Sequence, residues 1–285
     1  MPIARHGSGM QPATRAYLSQ VHPVFMLPPL AASIFGGILA GTIALVPAGA
    51  HVVAIFAAVY TAHVQDGYVD FHVRGEDDDH PLTVTGCRLG LAGSTVLFAL
   101  VCAVIFFRVD AVAVALTVPT WLIAYFHAPQ LDVHPIGATA GYPVGIGLAV
   151  LGGYYVQAGA MSPLALAFAV VFVVLLSGIK VIDDAKDYDY DRSIRKRTVA
   201  VVLGPERAHD VAYGLLAAAL VGVLGFAAFG AFPPGTVLAV AAFGAVALVA
   251  RRAPPTVATM LLIRGSYVFL AVLVAAVWFE PIASL

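Results

Sequence analysis

Apolar runs of about 20 residues, each long enough to cross a hydrocarbon core of about 30 Å, recur along the whole chain. They fall near 24–46, 49–65, 86–107, 109–128, 137–158, 162–182, 208–230, 235–250 and 258–279. Nine such runs in 285 residues leave no stretch for a separate soluble domain. The expectation is therefore all-α: a single domain over 1–285, an integral membrane bundle of nine transmembrane helices. A composition of 61% hydrophobic and only 11% charged residues argues against an ordinary soluble fold of this length. Gly and Pro inside the runs (Pro28-Pro29, Gly36-Gly37, Pro119, Pro143) are better tolerated in membrane helices than in soluble ones. The opening stretch lacks the short apolar core of a signal peptide, and the run after it can span, so it reads as a retained first helix. Cys87 and Cys102 fall toward opposite ends of one expected helix, so they are not expected to pair.

Nine spans put the termini on opposite sides and sort the basic residues sharply. Thirteen of the fifteen fall on one face: Arg5, Arg15, Arg74, Arg88, Lys180, Lys186, Arg192, Arg195, Lys196, Arg197, Arg207, Arg251 and Arg252. Arg108 falls on the other face and Arg264 lies inside the last span. By the positive-inside rule the basic face is cytoplasmic, which makes the chain a multi-pass protein of the cell membrane. The lipid bilayer is the expected partner, and nucleic acid is not.

The same face gathers the acids. "GIKVIDDAKDYDYDRSIRKRT" (178–198) packs five aspartates and six Lys/Arg residues into one short stretch. Asp183, Asp187 and Asp191 are spaced four apart, as are Asp66 and Asp70 at the end of the second run. Residues four apart share one face of a helix, so each series aims its carboxylates in one direction, where they repel one another. Near a membrane such charge needs compensation. Mg2+ supplies it, taking a few carboxylates and completing its shell with water and phosphate oxygens. Asp66, Asp70, Asp183, Asp187 and Asp191 are thus candidate metal ligands beside Arg74, Lys180, Lys186 and Arg197, a pattern that suits Mg2+ and a diphosphate. The consecutive acids "EDDD" (76–79) point all round a helix and read as solvated loop, and Asp184 and Asp189 lie out of register.

With these residues in view, the chain resembles the UbiA superfamily of intramembrane prenyltransferases along its whole length. The second motif carries the match: "DDAKDYDYDRSIRKRTVAVVLG" (183–204) has an acidic helical series, a basic turn ending in Thr, and a small-apolar stretch closing on Leu-Gly. Arg195 stands where the family usually has Gly. In the first motif His63 and Ala62 replace an Asp and an Asn when Asp66 and Asp70 take the last two acidic positions; alternatively Gln65-Asp66 takes the Asn-Asp pair. The segment 124–162, with "GGYYVQ", and "DFHVRGED" (70–77) are similar to the menaquinone-pathway branch that prenylates 1,4-dihydroxy-2-naphthoate.

The resemblance implies Mg2+-dependent transfer of a prenyl group from a polyprenyl diphosphate to a lipophilic acceptor. The catalytic carboxylates would be Asp66, Asp70, Asp187 and Asp191. Substrate contacts would come from His63, Arg74, Lys180, Lys186, Arg197, Tyr125 and Arg264, and Tyr60, Tyr68, Tyr142 and Tyr154 are further aromatic candidates beside an allylic cation. An ether-lipid or carotenoid acceptor, or a non-catalytic lipid-binding or transport relative, are the alternatives. "DGYVDF" (66–71) shares two letters with the CDP-alcohol phosphotransferase motif but lacks its Ala-Arg and downstream acids.

Overall fold

The computed structural model describes residues 2–194 and 196–279. Four of their helices begin where the sequence offers a capping oxygen. Thr83, Asp110, Ser162 and Thr198 accept hydrogen bonds from the N–H groups of Gly86, Ala113, Leu164 and Val201, satisfying first-turn donors that have no partner within the helix. In chain order the α-helices are α1 (Met10–Leu18), α2 (Pro23–Leu39), α3 (Leu45–Gly67), α4 (Val84–Arg108), α5 (Ala111–Tyr125) and α6 (Pro135–Ala158). They continue with α7 (Pro163–Lys186), α8 (Tyr188–Ser193), α9 (Val199–Leu203), α10 (Pro205–Ala228), α11 (Val237–Ala250) and α12 (Pro255–Phe279). A π-helical segment, Tyr68–Arg74, prolongs α3, and a second, His127–Leu131, follows α5.

Each of the nine apolar runs meets one of these helices, but not all have the expected length. Six are long and apolar enough to cross a membrane, or seven if α1 and α2, bent by 64°, form one broken span. The shorter ones are α2 at 17 residues, α5 at 15 and α11 at 14. At about 1.5 Å per residue α5 spans only about 22 Å. Its expected range of 109–128 is trimmed at one end by the Asp110 cap and at the other by the π turn from His127.

The helices α2, α3, α5, α6, α7 and α12 enclose the interior, with α4 packed outside α3, α10 outside α7 and α11 against α12. α6 and α7 are the most buried spans, whereas α4 and α10 turn most of their apolar surface outward. Leu97, Leu100, Phe106 and Phe107 on α4 and Val221 on α10 are exposed, as a lipid-facing surface requires. The interior is knitted by phenylalanines: Phe168 lies between Phe35, at 5.1 Å, and Phe232, at 3.8 Å, and Phe269 joins Phe172 and Phe243.

Two sequence features fix how α2 packs. A Cβ on Gly36 would lie 2.1 Å from the Val150 carbonyl oxygen, and one on Gly153 would lie 2.0 Å from that of Ser33, so glycine on both sides lets α2 and α6 touch backbone to backbone. The second feature is Pro28-Pro29. Neither proline has an N–H, so the carbonyls of Val24 and Phe25 lose their intrahelical donors. The hydroxyl of Tyr267 on α12 donates to Val24 O, and that of Tyr142 on α6 donates to Phe25 O at 3.2 Å. The prolines thereby tie α2 to two neighbouring helices.

The N-terminal arm lies along the loop before α4. Ala4 and Leu82 form an antiparallel bridge, and Arg5 pairs with Asp79 at 2.6 Å with its guanidinium 4.2 Å from the centre of the Phe71 ring. Cys87 and Cys102 are free and buried in α4.

Candidate active site

The six interior helices and the adjoining connections line a cavity of about 800 Å³. Most of its wall is apolar, from Pro28, Ile55, Val59, Ile123, Ile146, Leu176, Ile179 and Ile263. Its polar end is formed where α3 and α7 finish, by Asp66, Asp70 and Asp77 on one side and Lys180 and Asp183 on the other. Acids more than 110 positions apart in the sequence therefore open into one space.

Asp66, on the last turn of α3, makes no hydrogen bond or ion pair among the described residues, whereas Asp70 lies 3.4 Å from Arg74 in the π-helical segment. The wider π turn replaces the simple four-residue register expected of this pair. The second series also departs from a single helical face. α7 ends at Lys186, Asp187 has non-helical dihedrals (φ −101°, ψ 17°), and α8 starts afresh at Tyr188. Asp183, Asp184 and Asp187 crowd the negative end of the α7 dipole and repel one another, which favours ending the helix there.

The consequence is a division of positions. Asp183 lines the cavity between Lys180 at 3.6 Å and Lys186 at 3.1 Å. Asp187 is half exposed, 3.3 Å from Lys186. Asp191 is buried yet forms no side-chain hydrogen bond or ion pair among the described residues; its backbone N–H donates to Asp187 O at 2.9 Å. Asp187 and Asp191 stand behind Asp183 rather than among the residues lining the cavity. Asp184, which is out of register in the sequence, is buried and paired with Lys180.

The remaining expected contacts divide as follows. His63 lines the cavity, its Nδ1 3.1 Å from Gln20 O and its ring edge-on to His22 at 4.9 Å. Lys180 also lines it, already engaged by Asp183 and Asp184. Arg74 is committed to Asp132 at 2.6 Å, Asp70 at 3.4 Å and Glu76 at 3.5 Å, so it ties the loop after α3 to the one after α5. Arg197 is exposed, with its backbone N–H 3.4 Å from Asp132 O. Tyr125 stacks on Trp121 at 5.1 Å; Tyr125, Tyr60, Tyr68 and Tyr154 lie outside the lining, and Tyr142 is within it. Arg264 is exposed on α12, whereas Ile263, Ser266 and Tyr267 beside it line the cavity. Arg195 lies outside the described residues.

Three contributors escaped the sequence reading. Glu76, expected to be solvated, has a side chain only 5% exposed and lies 3.4 Å from Lys196. Asp77, Asp78 and Asp79 beside it are exposed. Asp132 is buried against Arg74. Lys196 sits between the two acid sets: burial disfavours its charge, but Asp70, Glu76, Asp191 and Asp66 hold its pKa above the usual value. Burial pushes the Asp191 carboxyl up to about 6 against the pull of Lys196. His127, in the cavity wall, is pushed below the ordinary imidazole value by burial, with Asp66 pulling the other way.

Whether these residues suit a divalent cation can be judged from their charge. Asp66, Asp70, Glu76, Asp132, Asp183, Asp184, Asp187 and Asp191 face only Arg74, Lys180, Lys186 and Lys196 as described partners. Buried oxygens of Asp184, Glu76 and Asp132 have no hydrogen-bond donor. An all-oxygen donor set with surplus negative charge fits Mg2+.

A model of the UbiA prenyltransferase family matches residues 81–255. Solved structures share the architecture at low identity. A UbiA homologue from Archaeoglobus fulgidus bound to GPP and Mg2+ is 17% identical, with a TM-score of 0.72 over 93% of this chain and 99% of that one. An apo UbiA homologue from Aeropyrum pernix K1 is 18% identical, with a TM-score of 0.69 over 88% and 98%. A digeranylgeranylglyceryl phosphate synthase is 15% identical, with a TM-score of 0.73 over 94% and 99%. No curated protein matches the chain.

Proposed function

The chain belongs to the UbiA prenyltransferase family, and from that premise we propose that it transfers a prenyl group from a polyprenyl diphosphate to a lipophilic acceptor inside the membrane. The observation that carries this reading is the meeting of two separate acid sets at the polar end of one apolar cavity. The whole chain acts as one domain, with the acid end at the cytoplasmic face, where thirteen of the fifteen basic residues are expected. Among similar structures, A. fulgidus homologues bound to GPP and to DMAPP each carry Mg2+, which supports the same donor chemistry here.

Asp66, Asp70 and Asp183 would hold the metal from the cavity wall, with Asp187 and Asp191 completing the acidic surround. Mg2+ bound there supplies positive charge to the departing diphosphate oxygens. Lys180, Lys186 and Lys196 orient the diphosphate with charge-assisted hydrogen bonds, and Arg197 lies at the edge of the same group. The apolar walls take the prenyl tail and keep water from the allylic carbon as its bond to oxygen breaks. Tyr142 and Tyr267 present aromatic rings to the cavity, each worth about 0.5–2 kcal/mol beside a developing cation. The likeness of the 124–162 segment to the branch that prenylates 1,4-dihydroxy-2-naphthoate supports an aromatic quinone precursor as the acceptor.

Purified protein in lipid nanodiscs, given Mg2+, labelled prenyl diphosphates of several lengths and an acceptor panel, should form prenylated product that EDTA abolishes. Absence of product at every length, together with absence of Mg2+-dependent GPP binding, would refute the reading.

A further inference from the structure

We propose that the acceptor is an uncharged molecule, recognised through a hydroxyl or carbonyl group rather than through a carboxylate or phosphate. The inference rests on the prenyltransferase reading and deepens it. Among the described residues lining the cavity, Lys180 is the single Lys or Arg, and it is held between Asp183 and Asp184. Neither Arg74 nor Arg264 is among the residues that line the cavity. Arg74 pairs with three carboxylates, and Arg264 is exposed while its neighbours Ile263 and Ser266 face inward.

Beyond the acid end, the described polar lining holds no Lys or Arg. Gln20, His22, His63, His127, Thr120 and Ser266 offer amide, imidazole and hydroxyl groups. The His22 and His63 rings meet edge-on at 4.9 Å, where two positive charges would repel. A second anion entering this space would be desolvated without a partner and would meet the field of Asp66, Asp70 and Asp183. An uncharged hydroxyl or carbonyl group needs only the hydrogen bonds that the wall already offers.

The test compares matched pairs that differ by one anionic group: 1,4-naphthohydroquinone against 1,4-dihydroxy-2-naphthoate, and a prenylated glycerol ether against its phosphate. Binding to the protein in nanodiscs is measured for all four, and turnover with geranyl diphosphate and Mg2+ alongside. The uncharged member of a pair should bind at least about tenfold more tightly. Ser266→Arg, or Gln20→Arg should the first variant fold poorly, should narrow or reverse that preference. Equal binding within both pairs, or preference for the anionic members, overturns the proposal. Mg2+-dependent GPP binding, followed separately, reports on the prenyltransferase reading itself, so the two can fail independently.

Discussion

Asp66 and Asp191 make no side-chain hydrogen bond or ion pair among the described residues, although Lys196 lies between the two acid sets. Beside a membrane interior this arrangement costs folding free energy unless a further cation answers it. Asp66→Asn should therefore lower prenyl transfer by at least about a hundredfold while leaving the thermal midpoint without Mg2+ equal to or above wild type, because an uncompensated charge is removed. A variant that loses activity only by unfolding would count against Asp66 as a ligand. Arg74 behaves oppositely. Arg74→Met leaves Asp132 and Asp70 without their ion-pair partner and Glu76 with Lys196 alone, and should destabilise the protein by about 3 kcal/mol, measured by reversible unfolding in detergent. Spacing made Asp66, Asp70 and Asp183 legible as a candidate site, since the four-residue repeat is local. Glu76, Asp132 and Lys196 were not legible, because their places depend on how three loops meet, and nothing in "EDDD" tells which acid turns inward. Asp184, out of register with its series, is buried inside α7 and paired with Lys180 one turn earlier, a supporting place that the four-residue spacing of the other acids does not reveal.

Among the elements, α2 shows how local sequence sets the interior. Pro28-Pro29 frees two carbonyls, and hydroxyls from α6 and α12 answer them. Tyr142→Phe should cost about 1–3 kcal/mol by leaving Phe25 O without a donor, read from the same unfolding experiment. The Gly36–Gly153 contact is less forgiving. A valine at 153 must push α2 from α6, and the cost should exceed about 3 kcal/mol or appear as loss of folded protein in size-exclusion chromatography. Hydrophobic runs located every long helix, because in lipid an apolar stretch has few other ways to satisfy its backbone. Their ends were less legible. α5 and α11 fall short of full spans because capping and turn geometry decide where a helix stops, and composition does not record it.

For the whole molecule, the account rests on two acid sets acting on one ion and one diphosphate. Mg2+ with GPP should stabilise the folded protein by about 2.7 kcal/mol at a hundredfold excess over Kd, with the effect lost on adding EDTA. The most direct measurement is anomalous diffraction from crystals grown with Mn2+ in place of Mg2+ and a non-hydrolysable geranyl diphosphate analogue. The account predicts metal density within about 2.2 Å of carboxylate oxygens from both the 66–70 and 183–191 segments, bridged by the diphosphate. Metal bound to one segment alone, or diphosphate seated away from the cavity's acid end, would contradict it.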